Sequence, residues 1–157
     1  MKDVINALSG QLLSYSGLDY AYDSGHTAEN VIELIQLNRF PFWNLVPDGV
    51  RYEKVDNVPF TQMERKIYPI VIQFATRSME MNRAVMGHTA TGKKGILDFS
   101  DDLWEAIKSD RTLGGVVRGV LPEFTINIEI LDATGDQDKF FVAAAETTIE
   151  FFSEGPV

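Results

Sequence analysis

The sequence predicts a single α+β domain, in which a largely antiparallel (mixed) β-sheet packs against two or three α-helices. Residues 95–120 (GILDFSDDLWEAIKSDRTLGGVVRGV) have the apolar spacing of one amphipathic helix, followed by a glycine turn and the start of a strand. Such a helix cannot bury its apolar stripe alone, so it must lie across a sheet. Residues 67–75 and 124–131 alternate as strands do. With 157 residues, 45% of them hydrophobic, the chain can build one core.

The helix supplies the first part of the predicted core. Its apolar stripe consists of Ile96, Phe99, Leu103, Trp104 and Ile107, which we assign to the core. Acidic side chains lie near its N-terminus and Lys108 lies in its last turn, so both suit the helix dipole. The pair Gly114 and Gly115 then allows backbone angles that a side chain would forbid.

The N-terminal part predicts a short helix, a loop and an ambiguous segment. Residues 2–13 form an amphipathic helix whose apolar side carries Val4, Ile5, Leu8, Leu12 and Leu13. Residues 14–25 are a loop with a short extended piece. Thr27 is a suitable N-cap for a second helix, although residues 31–37 can equally be extended, and Pro41 ends any helix there.

Three strands are predicted in the middle of the chain. Residues 40–46 form one, closed by a Pro-Asp-Gly turn, and residues 50–55 form the return strand of a hairpin. Residues 67–75 are the strongest strand of this half, with Ile70, Ile72 and Phe74 on one face. Pro69 favours an edge position, or the start of the strand, over a central one.

Residues 76–94 lose all periodicity, so within the single domain 1–157 we predict an extended arm or flexible loop there. The last two strands, residues 124–131 and 140–152, form an antiparallel hairpin, and residues 132–139 between them have the composition of a turn. Alternation in the first of them assigns three further residues to the core, namely Ile126, Ile128 and Ile130.

Composition excludes several classes of function. The net charge of −9 and the pI of about 4.6 argue against a nucleic-acid binder, but they suit a protein that DNA slides past without adhering. No apolar run approaches the roughly 18 residues of a membrane span, and we expect neither a signal peptide nor a membrane partner. Without cysteine there is no disulfide or thiolate site, and synthesis in a cytoplasm is the simplest expectation.

The sharpest enzyme hypothesis is a nucleotide-binding loop. Residues 87–93 fit GxxxxGK and precede a helix, and residues 124–132 end in an apolar run and an aspartate. Against it, Lys94 replaces the magnesium-binding Ser or Thr, and the preceding strand ends about a dozen residues too early. The strand at 124–132, which would be the second (Walker B) motif, alternates polar and apolar residues, whereas a buried parallel strand is apolar throughout. A mobile polar loop is the competing interpretation.

The other candidates for chemistry are better explained as structure. Asp132, Asp136 and Asp138 lack the spacing of a calcium loop and suit a solvated turn. The acidic residues of the helix suit capping, and His26 and His88 have no ligand partner or triad context. The sequence therefore predicts no catalytic residues, no metal site and no cofactor. Phe151 and Phe152 point to opposite faces of a strand, so one is exposed unless another element or subunit covers it.

The order of these elements resembles that of the tail-terminator proteins of long-tailed bacteriophages, also called minor tail or tail-completion proteins. Most of the likeness lies in residues 96–117, especially LWEAI at 103–107 followed by TLGGVV at 112–117. The layout extends over nearly the full chain, and residues 19–60 match least well.

The resemblance implies a structural virion protein, of a phage or prophage, that is assembled in the host cytoplasm. Such proteins form a ring, usually a hexamer, on the end of the tail tube, where they stop tube growth and present a surface to the head connector. The implied partners are further copies of this chain, the tail tube protein and the head connector protein, with DNA passing without specific binding. An alternative is another head–tail connector or completion adaptor, and less favoured is a nucleotide-binding enzyme.

We expect the interface in the arm and on the last strand. Residues of the arm could reach a neighbouring subunit or the tube, and Glu146 and Glu150 share a face of the last strand that meets solvent or a subunit. The predicted interface residues are Met79, Met81, Arg83, Met86, His88, Lys93, Lys94, Glu146, Glu150 and Phe152.

Overall fold

The computed structural model describes residues 1–24, 39–55, 63–121, 125–134 and 139–156. It shows one α+β domain, as the sequence predicts, and within these residues a mixed but mostly antiparallel seven-stranded sheet packs against three helices. The helices are α1 (Lys2–Ser14), α2 (Met81–Met86) and α3 (Ile96–Ser109), with 3-10 turns at Ser16–Leu18 and Thr89–Thr91. The strands are β1 (Tyr22–Asp23), β2 (Phe42–Pro47), β3 (Arg51–Lys54), β4 (Met63–Ser78), β5 (Gly119–Val120), β6 (Ile126–Thr134) and β7 (Lys139–Pro156).

Two long strands form the centre of the sheet. β4 and β7 pair antiparallel from Ser78 opposite Phe141 to Met63 opposite Pro156. β2 and β3 pair with the other edge of β4, β5 and β6 pair with the other edge of β7, and β1 lies parallel to β2. The hairpin predicted between β6 and β7 is present.

The hairpin predicted between residues 40–46 and 50–55 is wrong. β2 and β3 do not pair with each other. They lie end to end along the same edge of β4, opposite residues 70–75 and 64–67. The reason is the length of β4, which has room for both, so the turn around Gly49 (φ +78°) shifts the chain without reversing it.

Pro69 occupies the middle of a central strand, which corrects the predicted edge or starting position. The Asp48 N–H donates to the Pro69 carbonyl at 2.9 Å. In an antiparallel strand the N–H and carbonyl of one residue point to the same neighbour. The nitrogen of Pro69 therefore faces the junction between β2 and β3, and β4 loses no hydrogen bond with β7.

The larger core cluster lies between one face of the sheet, here called the helix face, and the helices, and a smaller buried cluster of Phe42, Ala75, Val142 and Ala144 lies on the other face. Ile70, Ile72 and Phe74 share the helix face and are fully buried. The Phe74 ring stacks on Phe99 of α3, with ring centroids 5.1 Å apart. From the helices, buried side chains include Val4, Leu8, Leu12, Ile96, Phe99, Leu103 and Ile107, whereas Leu13 is exposed.

β6 departs from the expected core. Ile126 packs against the core, but Ile128 and Ile130 are each 42% exposed. Their pairing with Ala145 and Ala143 puts them on the helix face, as alternation predicts. They are exposed because β6 lies outside β7, whereas α2 and α3 pack over β4 and β7.

The extended arm predicted at 76–94 is instead folded onto the domain. Its first residues continue β4, the next form α2, and the rest form a tight turn. Ala84 is buried in the core, and its carbonyl accepts a 2.6 Å hydrogen bond from the Thr76 hydroxyl. A six-residue helix with one buried alanine is too short to show a helical period, so the sequence pattern does not predict it.

Several predictions fall outside the described residues. They concern the helix or strand after Thr27, His26, Phe124, and the aspartates at 136 and 138. Among the residues that are described, no helix is long and apolar enough to cross a membrane.

Candidate assembly interface

The predicted interface residues fall into two groups on opposite faces of the sheet. Seven lie in residues 79–94, here called the cap, which is fixed to the helix face through Ala84 and Thr76. Glu146, Glu150 and Phe152 alternate with the buried Thr147, Ile149 and Phe151, so they lie on the other face, here called the open face. The structure therefore does not bring the two groups together.

Two glycines fix the position of the cap. A Cβ built on Gly95 would overlap the backbone nitrogen of Gly87 and the carbonyl of Val85. Gly87 has φ +77°, and a Cβ there would lie 2.7 Å from both Asp98 Oδ2 and the Lys93 carbonyl. The Asp98 carboxylate also accepts from the Gly95 N–H at 3.1 Å, which caps α3. The backbone of Gly95 thus passes in direct contact with that of Gly87, where the turn begins and ends.

The GxxxxGK segment is a closed turn. His88 and Lys93 exchange backbone hydrogen bonds of 2.9 and 3.2 Å. The N–H groups of Thr91 and Gly92 donate to carbonyls inside the same turn at 3.2 Å, and His88 Nδ1 lies 2.8 Å from Thr91 Oγ1. A phosphate loop needs these N–H groups directed at the ligand. The described geometry therefore lacks the cradle on which the nucleotide hypothesis depends.

The outer surface of the cap carries three exposed methionines. Met79 is 76% exposed, Met81 49% and Met86 65%. Ala84, on the short helix between them, is the residue that packs into the core. Arg83 on the same helix pairs with Glu80 at 3.0 Å. Exposed apolar side chains that are close together in the chain are candidates for an interaction surface, and methionine adapts readily to the shape of a partner.

Lys94 ties the cap to the rest of the domain. Its ammonium group lies 3.4 Å from Asp102 of α3 and over the ring of Tyr20. The Tyr20 hydroxyl donates to the same Asp102 carboxylate at 2.8 Å. Burial, and then the hydrogen bond to Asp102, raise the pKa of Tyr20 above its usual range. Lys94, predicted as an interface residue, therefore has a structural contact within its own chain, although it is exposed, as is Lys93 beside it.

The open face carries two groups of ion pairs, which join neighbouring strands and, in one case, two residues of the same strand. Arg51 of β3 contacts Glu150 at 3.0 Å and Glu53 at 3.1 Å. The hydrogen bond to Glu150, followed by that to Glu53, raises the pKa of Arg51. Arg65 and Arg118 both contact Glu154, at 2.8 and 3.4 Å. Sequence reasoning missed these arginines, because only the strand register shows which carboxylates lie opposite them.

Phe152 is half-buried without a neighbouring subunit. The Arg65 guanidinium lies 5.1 Å from its ring centroid, and Gly119 of β5 packs against its edge. Phe151, on the helix face, is fully buried. Of the two covers that the sequence allowed, another element or another subunit, an element of the same chain supplies part. Of the three open-face candidates, Glu146 is the exposed one.

Among the described residues, no group of acidic or histidine side chains is arranged to hold a metal ion. No family model matches the chain, and no curated protein is similar enough to it to count as a relative. The exposed methionines of the cap are the strongest candidate for a functional surface.

Proposed function

We propose that the protein is a structural virion component of a phage or prophage, which caps the tail tube as an oligomeric ring. The ring ends tube growth and forms the surface that the head connector joins. The observation that carries this proposal is the cap, a fixed segment of sixteen residues that carries three exposed methionines. The resemblance of residues 96–117 to tail terminators supplies the class of partner.

A methionine surface suits assembly better than catalysis. Fully burying a fully exposed methionine yields about 1.5–3 kcal/mol, and these three side chains, which are 49–76% exposed, would yield a corresponding part of it. Three of them on one short segment can contribute substantially to a protein–protein contact. The net charge of −9 suits a ring through which DNA passes, because like charges repel.

The first experiment measures the native mass over a concentration series and images the same samples by electron microscopy, with and without the tail tube protein encoded in the same genome. We expect closed rings, alone or on tube ends, and tubes that stop growing when the protein is added. A protein that stays monomeric and neither binds nor shortens tubes contradicts the proposal.

Matched variants test whether the cap carries the contact. The cap variant replaces Met79, Met81 and Met86 by serine, and the control replaces three exposed apolar residues elsewhere, namely Leu13, Leu97 and Val116. We expect the cap variant to lose ring formation or tube capping while unfolding at the wild-type temperature. Equal loss in both variants would mean that the effect is not specific to the cap.

A further inference from the structure

Two strands at opposite margins of the sheet have a described partner on one side only. β6 pairs with β7, and β3 pairs with β4. β3 and β7 are both antiparallel to β4, and β6 is antiparallel to β7, so β3 and β6 run in opposite directions. Two copies in the same orientation would therefore present antiparallel edges to each other.

The β6 edge exposes more apolar surface than an edge strand usually does. Ile128 and Ile130 are each 42% exposed on the helix face, and Glu129 between them is exposed on the open face. Unprotected edges of this kind are templates for pairing with another chain, and natural proteins normally block them with charges, prolines or bulges. Here the apolar side chains remain accessible.

The β3 edge matches the β6 edge on both faces. Tyr52, on the helix face, is 59% exposed, so it can cover the isoleucines of a second copy. Arg51, on the open face with Glu150, can meet Glu129. Residues 51–54 carry two cations and one anion, a formal +1, and residues 126–134 carry two anions, a formal −2. The two edges therefore match in the alternation of apolar and charged side chains and in the sign of their charge.

We propose that the β6 edge of one copy pairs antiparallel with the β3 edge of the next, so that the sheet continues from subunit to subunit. This rests on the proposed function only in requiring that copies assemble. A joint between two different edges is head-to-tail, and repeating it gives a closed ring when the rotation permits. Pairing of β6 with itself would instead bring like charges from Glu129 together, which is unfavourable.

The absence of cysteine in this chain allows a direct test. The double variant Tyr52→Cys with Ile128→Cys is treated with a bis-maleimide. Within one copy the two positions are three strand spacings apart and eight residues offset along the sheet, by the register through Lys66 and Ser153. That separation is roughly 30 Å, beyond a spacer of about 10 Å, so only different copies can be joined.

We expect a ladder of covalent multimers beyond the dimer from the double variant, and monomer from each single variant. The control pair Val116→Cys with Ile128→Cys should give no ladder, because Val116 is exposed but outside both edges. Thermal unfolding checks that each variant folds. No ladder from the double variant, or a dimer from Ile128→Cys alone, overturns the proposed joint.

The outcome separates this joint from the proposed function. Rings in micrographs without a ladder would leave the tail-capping proposal standing and remove the sheet-edge joint. A ladder from a protein that does not cap tubes would support the sheet-edge joint and remove the tail-capping proposal.

Discussion

Replacing Gly95 by alanine tests how firmly the cap is held. The new Cβ would overlap the backbone of Gly87 and Val85, and neither can move as a flexible side chain does. Overpacking a closed site usually costs about 1–3 kcal/mol, and an obstacle made of backbone lies at the upper end. We therefore expect a loss of about 3 kcal/mol in the free energy of unfolding, or roughly a hundredfold in the ratio of folded to unfolded protein.

The assay is equilibrium unfolding in urea, combined with hydrogen exchange of the amides in residues 83–95. Exchange in the cap should accelerate in Gly95→Ala more than exchange in β4 or β7, because relief of the overlap requires the turn to lift. The matched control is Gly10→Ala in the exposed part of α1, where a Cβ meets nothing within 4 Å. That change should stabilise the protein by about 0.5–1 kcal/mol, because alanine favours a helix.

A free energy of unfolding of Gly95→Ala within about 0.5 kcal/mol of the wild-type value would refute the reasoning. Changes that small are typical of exposed surface positions, and a position where two backbone segments cross should not tolerate a side chain so well. If the variant folds with a displaced cap, it should also assemble poorly, since the methionines lose their fixed position.

Three further predictions concern stability. Gln11→Ala should cost about 1–2 kcal/mol in urea unfolding, because its amide donates to three carbonyls at the end of α3 at 2.8–3.3 Å; Asn6→Ala, exposed on the same helix, should change little, and equal effects would contradict the capping role. Phe99→Ala should cost about 3–5 kcal/mol, because the ring is fully buried, and a loss below about 1 kcal/mol would contradict the packing. Asp110 accepts hydrogen bonds from Thr112 and Gly114, which lower its pKa, so its stabilisation should be present above the usual aspartate pKa and lost as the pH falls through the lowered value. When the stability of Asp110→Asn is measured as the pH is lowered, this loss should be absent. The same decrease of stability at acid pH in variant and wild type would contradict the prediction.

Local periodicity was sufficient for α3 and the middle of β4. In both, the side chains that share a face are fixed by nearest neighbours along the chain, so the stripe through Phe99 and the alternation through Ile72 predict their own elements. Strand partners are not local. Whether β3 pairs with β2 or with β4 depends on the length of β4, which the sequence pattern understated by about half.

The sequence indicated which segments carry the candidate surfaces, but not how those segments are folded. Alternation placed Ile128 and Ile130 on the helix face correctly, but it cannot say how far the helix layer extends over the sheet. The cap lacked any period because its position depends on a backbone crossing, for which the spacing of Gly87 and Gly95 is the only trace in the sequence. Both surfaces therefore required the tertiary arrangement.

The cap and the β6 edge are neighbours, which joins the two proposals. Thr76, which holds α2, pairs with Ala143, and Ala143 pairs with Ile130, so the exposed isoleucines begin one strand beyond the residues under the cap. A second copy that adds its β3 to this edge would extend the sheet on the side next to the exposed methionines. Tyr52 of that copy would then lie on the same face as the cap. The methionine surface and the sheet edge are therefore compatible parts of one subunit contact, and a variant in either should weaken the same assembly.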